Sequence, residues 1–191
     1  MKLDYIVFVF LWSYISTQLQ NDNLIPTNKV EFESGSSNLI FVKDPKVRKS
    51  SGVLYLPKCK NLKDNISEED FYEFTYIGDF DNKHLLKVIQ KTFYNGYEYL
   101  IIDIKNQCKI TTLLGKPYVF GSYIINFNES ETTDAKKVIQ VWRLSERQVL
   151  KERDFQFSQS ITFVEVRISK TKKEFLLKDT DGKFWKIMLK A

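Results

Sequence analysis

The sequence predicts an all-β protein, with antiparallel strands in propeller-like blades or packed sheets. Three observations carry that expectation. Apolar or alternating runs recur about every 10–14 residues with turn residues between them. No window shows a long run of apolar residues at helical spacing. The chain also carries 15 Phe and 10 Tyr against 7 Gly and 4 Pro, enough apolar bulk for a sizeable core.

Taken in order, the chain leaves a polar segment at 21–28 and enters short β runs. Val30-Glu31-Phe32 alternates as a strand would, and Ser34 to Asn38 turns. Leu39 to Val42 is apolar, Lys43 to Gly52 reads as a charged loop, and Val53 to Pro57 is the next strand. Cys59 to Asp70 is polar, and Ser67-Glu68-Glu69-Asp70 has the composition of a single helical turn. Phe71 to Phe80 places Tyr72, Phe74 and Tyr76 on one side. His84 to Phe93 alternates less cleanly, with Lys87 and Gln90 breaking the pattern. Asn95-Gly96 is a hairpin signal. Tyr97 to Ile104 is nearly continuous in apolar residues, so both of its faces are expected to be covered.

Lys105-Asn106-Gln107 turns the chain into Cys108 to Leu114, and Gly115-Lys116-Pro117 breaks it again. Tyr118 to Phe120 and Tyr123 to Phe127 form a pair across Gly121-Ser122. Asn128 to Lys137 is an exposed loop. Val138 to Leu144, Val149 to Phe157, Ile161 to Ile168, Glu174 to Lys178 and Phe184 to Leu189 complete the series. Asp179-Thr180-Asp181-Gly182 supplies the last hairpin turn.

The first residues, MKLDYIVFVFLWSYISTQLQ, have the layout of a secretory signal peptide. Lys2 is a short positive region, Tyr5 to Ile15 an uncharged apolar run, and polar residues follow. A membrane span needs roughly 20 apolar residues, more than this run holds. The expected organisation is residues 1–20 as signal peptide, 21–28 as linker, and 29–191 as a single all-β domain, with no span in the mature chain. An N-terminal anchor or a buried N-terminal element is the other reading of the same run. No Cys follows the apolar run until Cys59, which argues against a bacterial lipoprotein. A periplasmic or secreted location follows from the signal.

Lys and Arg total 29 against 24 Asp and Glu, a formal charge of +5. The excess is scattered rather than gathered between aromatics, so no nucleic-acid partner is expected. One His and two Cys leave little for a metal site, and no cofactor is expected. In an exported chain Cys59 and Cys108 invite one disulfide, and two unrelated thiols remain the alternative. A Cys–His nucleophile would need His84, and no local motif supports it.

One stretch resembles a known family. Gly96-Tyr97-Glu98-Tyr99-Leu100-Ile101-Ile102-Asp103-Ile104-Lys105-Asn106 is similar to the strand and turn of WD40-like, TolB-type propeller repeats. Leu113 to Phe120 resembles the segment that follows it there, and Tyr123 to Phe127, then Val138 to Leu144, the strand that ends a blade. The resemblance covers about residues 71–190. It implies an exported protein with an incomplete propeller-like array and no assigned activity, in which Asp103 fixes a turn by accepting backbone N–H bonds. Asn106-Gln107 and Phe120-Gly121-Ser122 depart from the repeat at its turns. A propeller blade takes roughly 40–45 residues, so the chain has room for about four blades at most and an open or partial array is expected.

The remaining candidates read mainly as structure. Asn128 to Asp134 carries three carboxylates but lacks the alternation and the Gly of a calcium loop. Asp179, Asp181 and Gly182 are explained by a hairpin turn. Glu68, Glu69, Asp70 and Glu73 are acid–base candidates whose separation the sequence does not set. Trp142 and Trp185 read as packing residues. Tyr94, Tyr97 and Tyr99 flank the Asn95-Gly96 turn, as a ligand-reading cluster or as same-face strand packing. Asn65-Ile66-Ser67 and Asn128-Glu129-Ser130 match N-glycosylation sequons, relevant only in a eukaryotic secretory source. There is no P-loop, dinucleotide fingerprint, G-x-S-x-G or H-E-x-x-H. The expected function is therefore a non-enzymatic exported β-module that binds another protein or an envelope component. The alternative is a carbohydrate-binding or weakly carbohydrate-active secreted protein.

Overall fold

The computed structural model describes residues 24–37, 41–80, 85–127, 137–145, 148–157 and 161–189. Among them are fifteen strands, one short helix and four antiparallel sheets. The first sheet joins β2 (Arg48–Ser50), β3 (Val53–Tyr55) and β4 (Leu62–Lys63). The second is a meander of β5 (Tyr72–Asp79), β6 (Leu86–Phe93), β7 (Gly96–Asp103) and β8 (Lys109–Leu113). The third is a meander of β9 (Tyr118–Phe120), β10 (Tyr123–Phe127), β11 (Lys137–Leu144) and β12 (Val149–Phe157). The terminal sheet is ordered β1-β15-β14-β13, from β1 (Ile25–Thr27), β13 (Phe163–Ile168), β14 (Glu174–Asp179) and β15 (Phe184–Met188). The chain divides into two compact units. The larger carries the first three sheets, and the other the terminal sheet.

Within the larger unit, the side-chain alternation of β6 and β7 explains the stacking. Successive strand residues point to opposite faces. Phe74, Ile89, Leu100 and Ile102 pack on one side with Leu54 and Leu56, from β3 and its exit. Val88, Tyr99, Ile101 and Leu113 pack on the other side with Val119, Ile124 and Val149 of the third sheet. The second sheet is thus covered on both faces, as its continuous apolar run requires. Within this unit, antiparallel sheets are packed face to face. Burial of each Ile in this layer contributes about 1.5–3 kcal/mol.

Two glycines permit close approaches. Gly78 has φ +147°, and a Cβ there would lie 2.7 Å from the Phe41 Cβ. It sits at a bulge, where the β5–β6 register shifts between Tyr76 and Gly78. At Gly115 a Cβ would overlap the Phe127 carbonyl oxygen, so the chain can pass against β10 only with no side chain there.

In the other unit the N-terminal segment straps the C-terminal hairpins. Ile25–Thr27, inside the stretch expected to be a linker, forms β1 and pairs antiparallel with Phe184–Lys186 of β15. Helix α1 (Lys29–Ser34) follows, and Ser36 then bridges Ile168 on β13. The strap therefore pairs with both edges of the β13–β14–β15 meander and protects them. The Val30-Glu31-Phe32 alternation is helical rather than extended. Asn28 caps the helix, its Oδ1 accepting from the Glu31 N–H at 2.9 Å, and this satisfies one first-turn donor. Phe32 is buried, 5.1 Å from the Phe184 ring with Arg167 over it at 4.8 Å, while Val30 is 78% exposed. The Thr27 hydroxyl donates to Glu31, and Lys186 Nζ lies 3.0 Å from the same carboxylate. Those two hydrogen bonds hold the Glu31 carboxyl below its ordinary pKa.

The last hairpin turn is held by Asp179. Its Oδ1 accepts from the Lys183 N–H and its Oδ2 from the Trp185 indole, both at 2.8 Å. An Asp179→Ala variant strands both donors and should lose about 1–3 kcal/mol, read as a lower urea midpoint at unchanged slope. Two local expectations differ from the structure. Arg48–Ser50 is a strand because it pairs with β3, although its charges read as loop. Ser67–Asp70 bends without a helical turn, and the Asp70 N–H bonds the Ser67 hydroxyl instead.

Candidate functional site

The strongest surface feature lies at the β6–β7 end of the second sheet. The turn residues are Tyr94 and Asn95, and Gly96 opens β7 with φ +145°. This places the Tyr94 side chain at the tip, 63% exposed, where its ring lies 4.8 Å from that of Phe71. Tyr97 is 38% exposed and meets Tyr99 edge-on at 5.7 Å. Tyr99 belongs to the core, and burial raises the pKa of its phenol. Strand parity puts Phe71, Tyr94 and Tyr97 on one side of this sheet end. On the other side Lys91 lies 4.6 Å from both the Tyr72 and Phe93 rings, with Glu98 at 3.5 Å. The exposed acidic run Glu68-Glu69-Asp70 leads directly into Phe71. The rings stand at the end of a sheet whose middle is buried on both faces. Exposed Tyr and Phe on a rigid support are the side chains that interfaces use most, since they bury large areas with little rotamer entropy.

A second constellation is buried at the opposite end of β6. Lys87 on β6 is 1% exposed and its Nζ lies 2.8 Å from Asp44 Oδ2 and 3.3 Å from Asp79 Oδ2. The Tyr76 hydroxyl donates to Asp79 Oδ1 at 2.6 Å and accepts from the Asp44 N–H at 3.0 Å. Burial, and the hydrogen bond to Asp79 next, push the Tyr76 phenol well above its ordinary pKa. Asp79 also pairs by backbone with Val42, so the cluster pins the 42–44 segment to the end of β5. The ammonium, two carboxylates and phenol satisfy one another. Their chemistry is that of a lock between segments, with the charges turned inward.

Disulfide geometry is met by Cys59 and Cys108, whose sulfurs are bonded with Cα atoms 5.7 Å apart. The bond ties the β3–β4 connection to the β7–β8 turn, where Gln107 and Cys108 both take positive φ.

Each residue singled out in the sequence has a place. Asp103 accepts from the Asn106 N–H at 3.1 Å and fixes the β7–β8 turn. Glu68, Glu69 and Asp70 are exposed on a bend, and Glu73 is ion-paired with Lys49 at 2.7 Å. Trp185 donates to Asp179, and Trp142 packs against the core between the second and third sheets. Asn65 is half-buried, and its Oδ1 accepts from the Ser67 N–H at 3.1 Å. His84 and the whole of Asn128 to Asp134 lie outside the described residues. Among the described residues no group of three His, Cys, Asp or Glu side chains is arranged to hold a metal ion. No helix among them is long and apolar enough to cross a membrane.

Lys87 and its partners escaped the sequence reading. Lys87 reads as a break in the β6 pattern, and Asp44 lies 43 residues away. The only available signal was a charged residue at an inward position, between Leu86 and Val88. Comparison with known proteins gives no relative to weigh against this geometry: no family model, curated protein or solved structure matches the chain.

Proposed function

We propose that the chain is an exported, non-enzymatic β-module that binds another protein or an envelope component through the aromatic corner of Phe71, Tyr94 and Tyr97. The observation that carries this reading is the exposure of Tyr94 and Tyr97 on a sheet end whose own interior is fully packed. Folding has no use for aromatic area left in water, whereas an interface does. Export is supported by the N-terminal sequence and by the Cys59–Cys108 bond, which belongs to an oxidising compartment. Propeller-like resemblance supports a scaffold that works through its loops and edges.

The test is capture from the envelope fraction of the source cells with immobilised protein. Wild type should retain a specific protein, and a Tyr94→Ser/Tyr97→Ser variant should bind it at least about tenfold more weakly, the loss of one modest hot spot. Equal retention by the variant would contradict the assigned surface. The same exposed rings underlie the carbohydrate reading. Glycan-array binding that disappears in the Tyr94→Ser variant would favour it over protein binding.

A further inference from the structure

We propose that Asn126, Gln140 and Trp142 build a closed internal site for an ordered water molecule on the third sheet. Asn126 on β10 is 0% exposed, and neither its Nδ2 nor its Oδ1 has a hydrogen-bond partner among the described residues. The Trp142 Nε1 on β11 is also buried without one. These groups are neighbours by register. Asn126 pairs with Gln140 and Ile124 with Trp142, so all four side chains share one face of the sheet. Ile124 belongs to the apolar core and Trp142 packs against it, which identifies that face as the inward one.

The site is continuous with a polar ladder. Asp154 is exposed, and its Oδ1 lies 3.5 Å from Gln140 Nε2. Gln140 is buried, and its Oε1 accepts from the Leu114 N–H at 3.3 Å. Asn126 is the innermost rung. Polar side chains thus lead inward across the strands from a solvent-facing carboxylate to an amide with unmet capacity. An amide desolvated without partners costs about 1–3 kcal/mol, and an Ile or Leu at this position would avoid that. Turning the Asn126 amide over does not help, because both of its polar atoms lack partners.

The unmet groups define the ligand. Asn126 Nδ2 and Trp142 Nε1 are donors, and Asn126 Oδ1 is an acceptor. The complementary species both accepts and donates and is small enough for a closed interior. Water does so with three bonds, the usual number for a buried one.

The test is water–protein NOE spectroscopy on the full ¹⁵N-labelled chain, with the Trp142 indole resonance assigned by Trp142→Phe. A long-lived water cross-peak is expected at the Trp142 indole proton. None is expected at Trp185, whose indole donates to Asp179. Asn126→Leu should remove the Trp142 cross-peak while the indole resonance stays in its folded position, and Asn126→Thr serves where Leu does not fold. Absence of the cross-peak in wild type, or its persistence in a folded Asn126 variant, would overturn the assignment.

Discussion

A Lys87→Met variant should lose about 3–5 kcal/mol of stability, the loss typical of breaking a buried ion pair from one side. Met fills the volume of the lysine stem, so packing changes little. What changes is the charge: Asp44 and Asp79 stay buried while the ammonium between them is gone. The urea midpoint should fall accordingly at unchanged slope. Adding Asp79→Asn to Lys87→Met should recover part of the loss. A deficit under about 1 kcal/mol would show that the cluster does not hold the fold.

Opening the Cys59–Cys108 bond should cost about 4 kcal/mol on the chain-entropy estimate, because 49 residues separate the two cysteines. Reduction of wild type and the double variant Cys59→Ser/Cys108→Ser should give the same lowered urea midpoint, since each releases the same loop. The double variant should be insensitive to reductant. A wild-type midpoint unchanged by full reduction would mean that the loop is held as firmly by its other contacts. Those contacts are substantial: Leu54, Leu56, Ile102 and Ile104 pack around the two cysteines.

Much of the fold was legible because its strands alternate cleanly. Val138 to Leu144 and Phe71 to Phe80 show their faces in the sequence, and Asp179 to Gly182 marks its own turn. The continuous run Tyr97 to Ile104 announced a sheet covered on both sides, as it is. The N-terminal strap was not legible. Val30-Glu31-Phe32 fits strand and helix equally over three residues, and the Asn28 cap together with a single buried Phe decides for the helix. Ile25-Pro26-Thr27 gave no strand signal, since Pro removes a ladder donor and is tolerated only on an edge. Its partner β15 lies at the opposite end of the chain, a pairing that local pattern does not encode. Of the sites, Tyr94 and Tyr97 were visible from their turn, while Tyr99, on the same face as Tyr97, is buried because two residues further along the strand that face is covered by the core. The Lys87 cluster was invisible because four residues from two distant segments become one group only after the bulge at Gly78 aligns them.

The reading of the chain as an exported module is tested most directly by the intact mass of the native protein from fractionated cells, alkylated with and without prior reduction. The account predicts a mass lacking roughly the first 18–20 residues, short by two hydrogens, and closed to alkylation until reduced. A full-length chain carrying two alkylated cysteines without reduction would contradict it and return the search for partners to the cell interior.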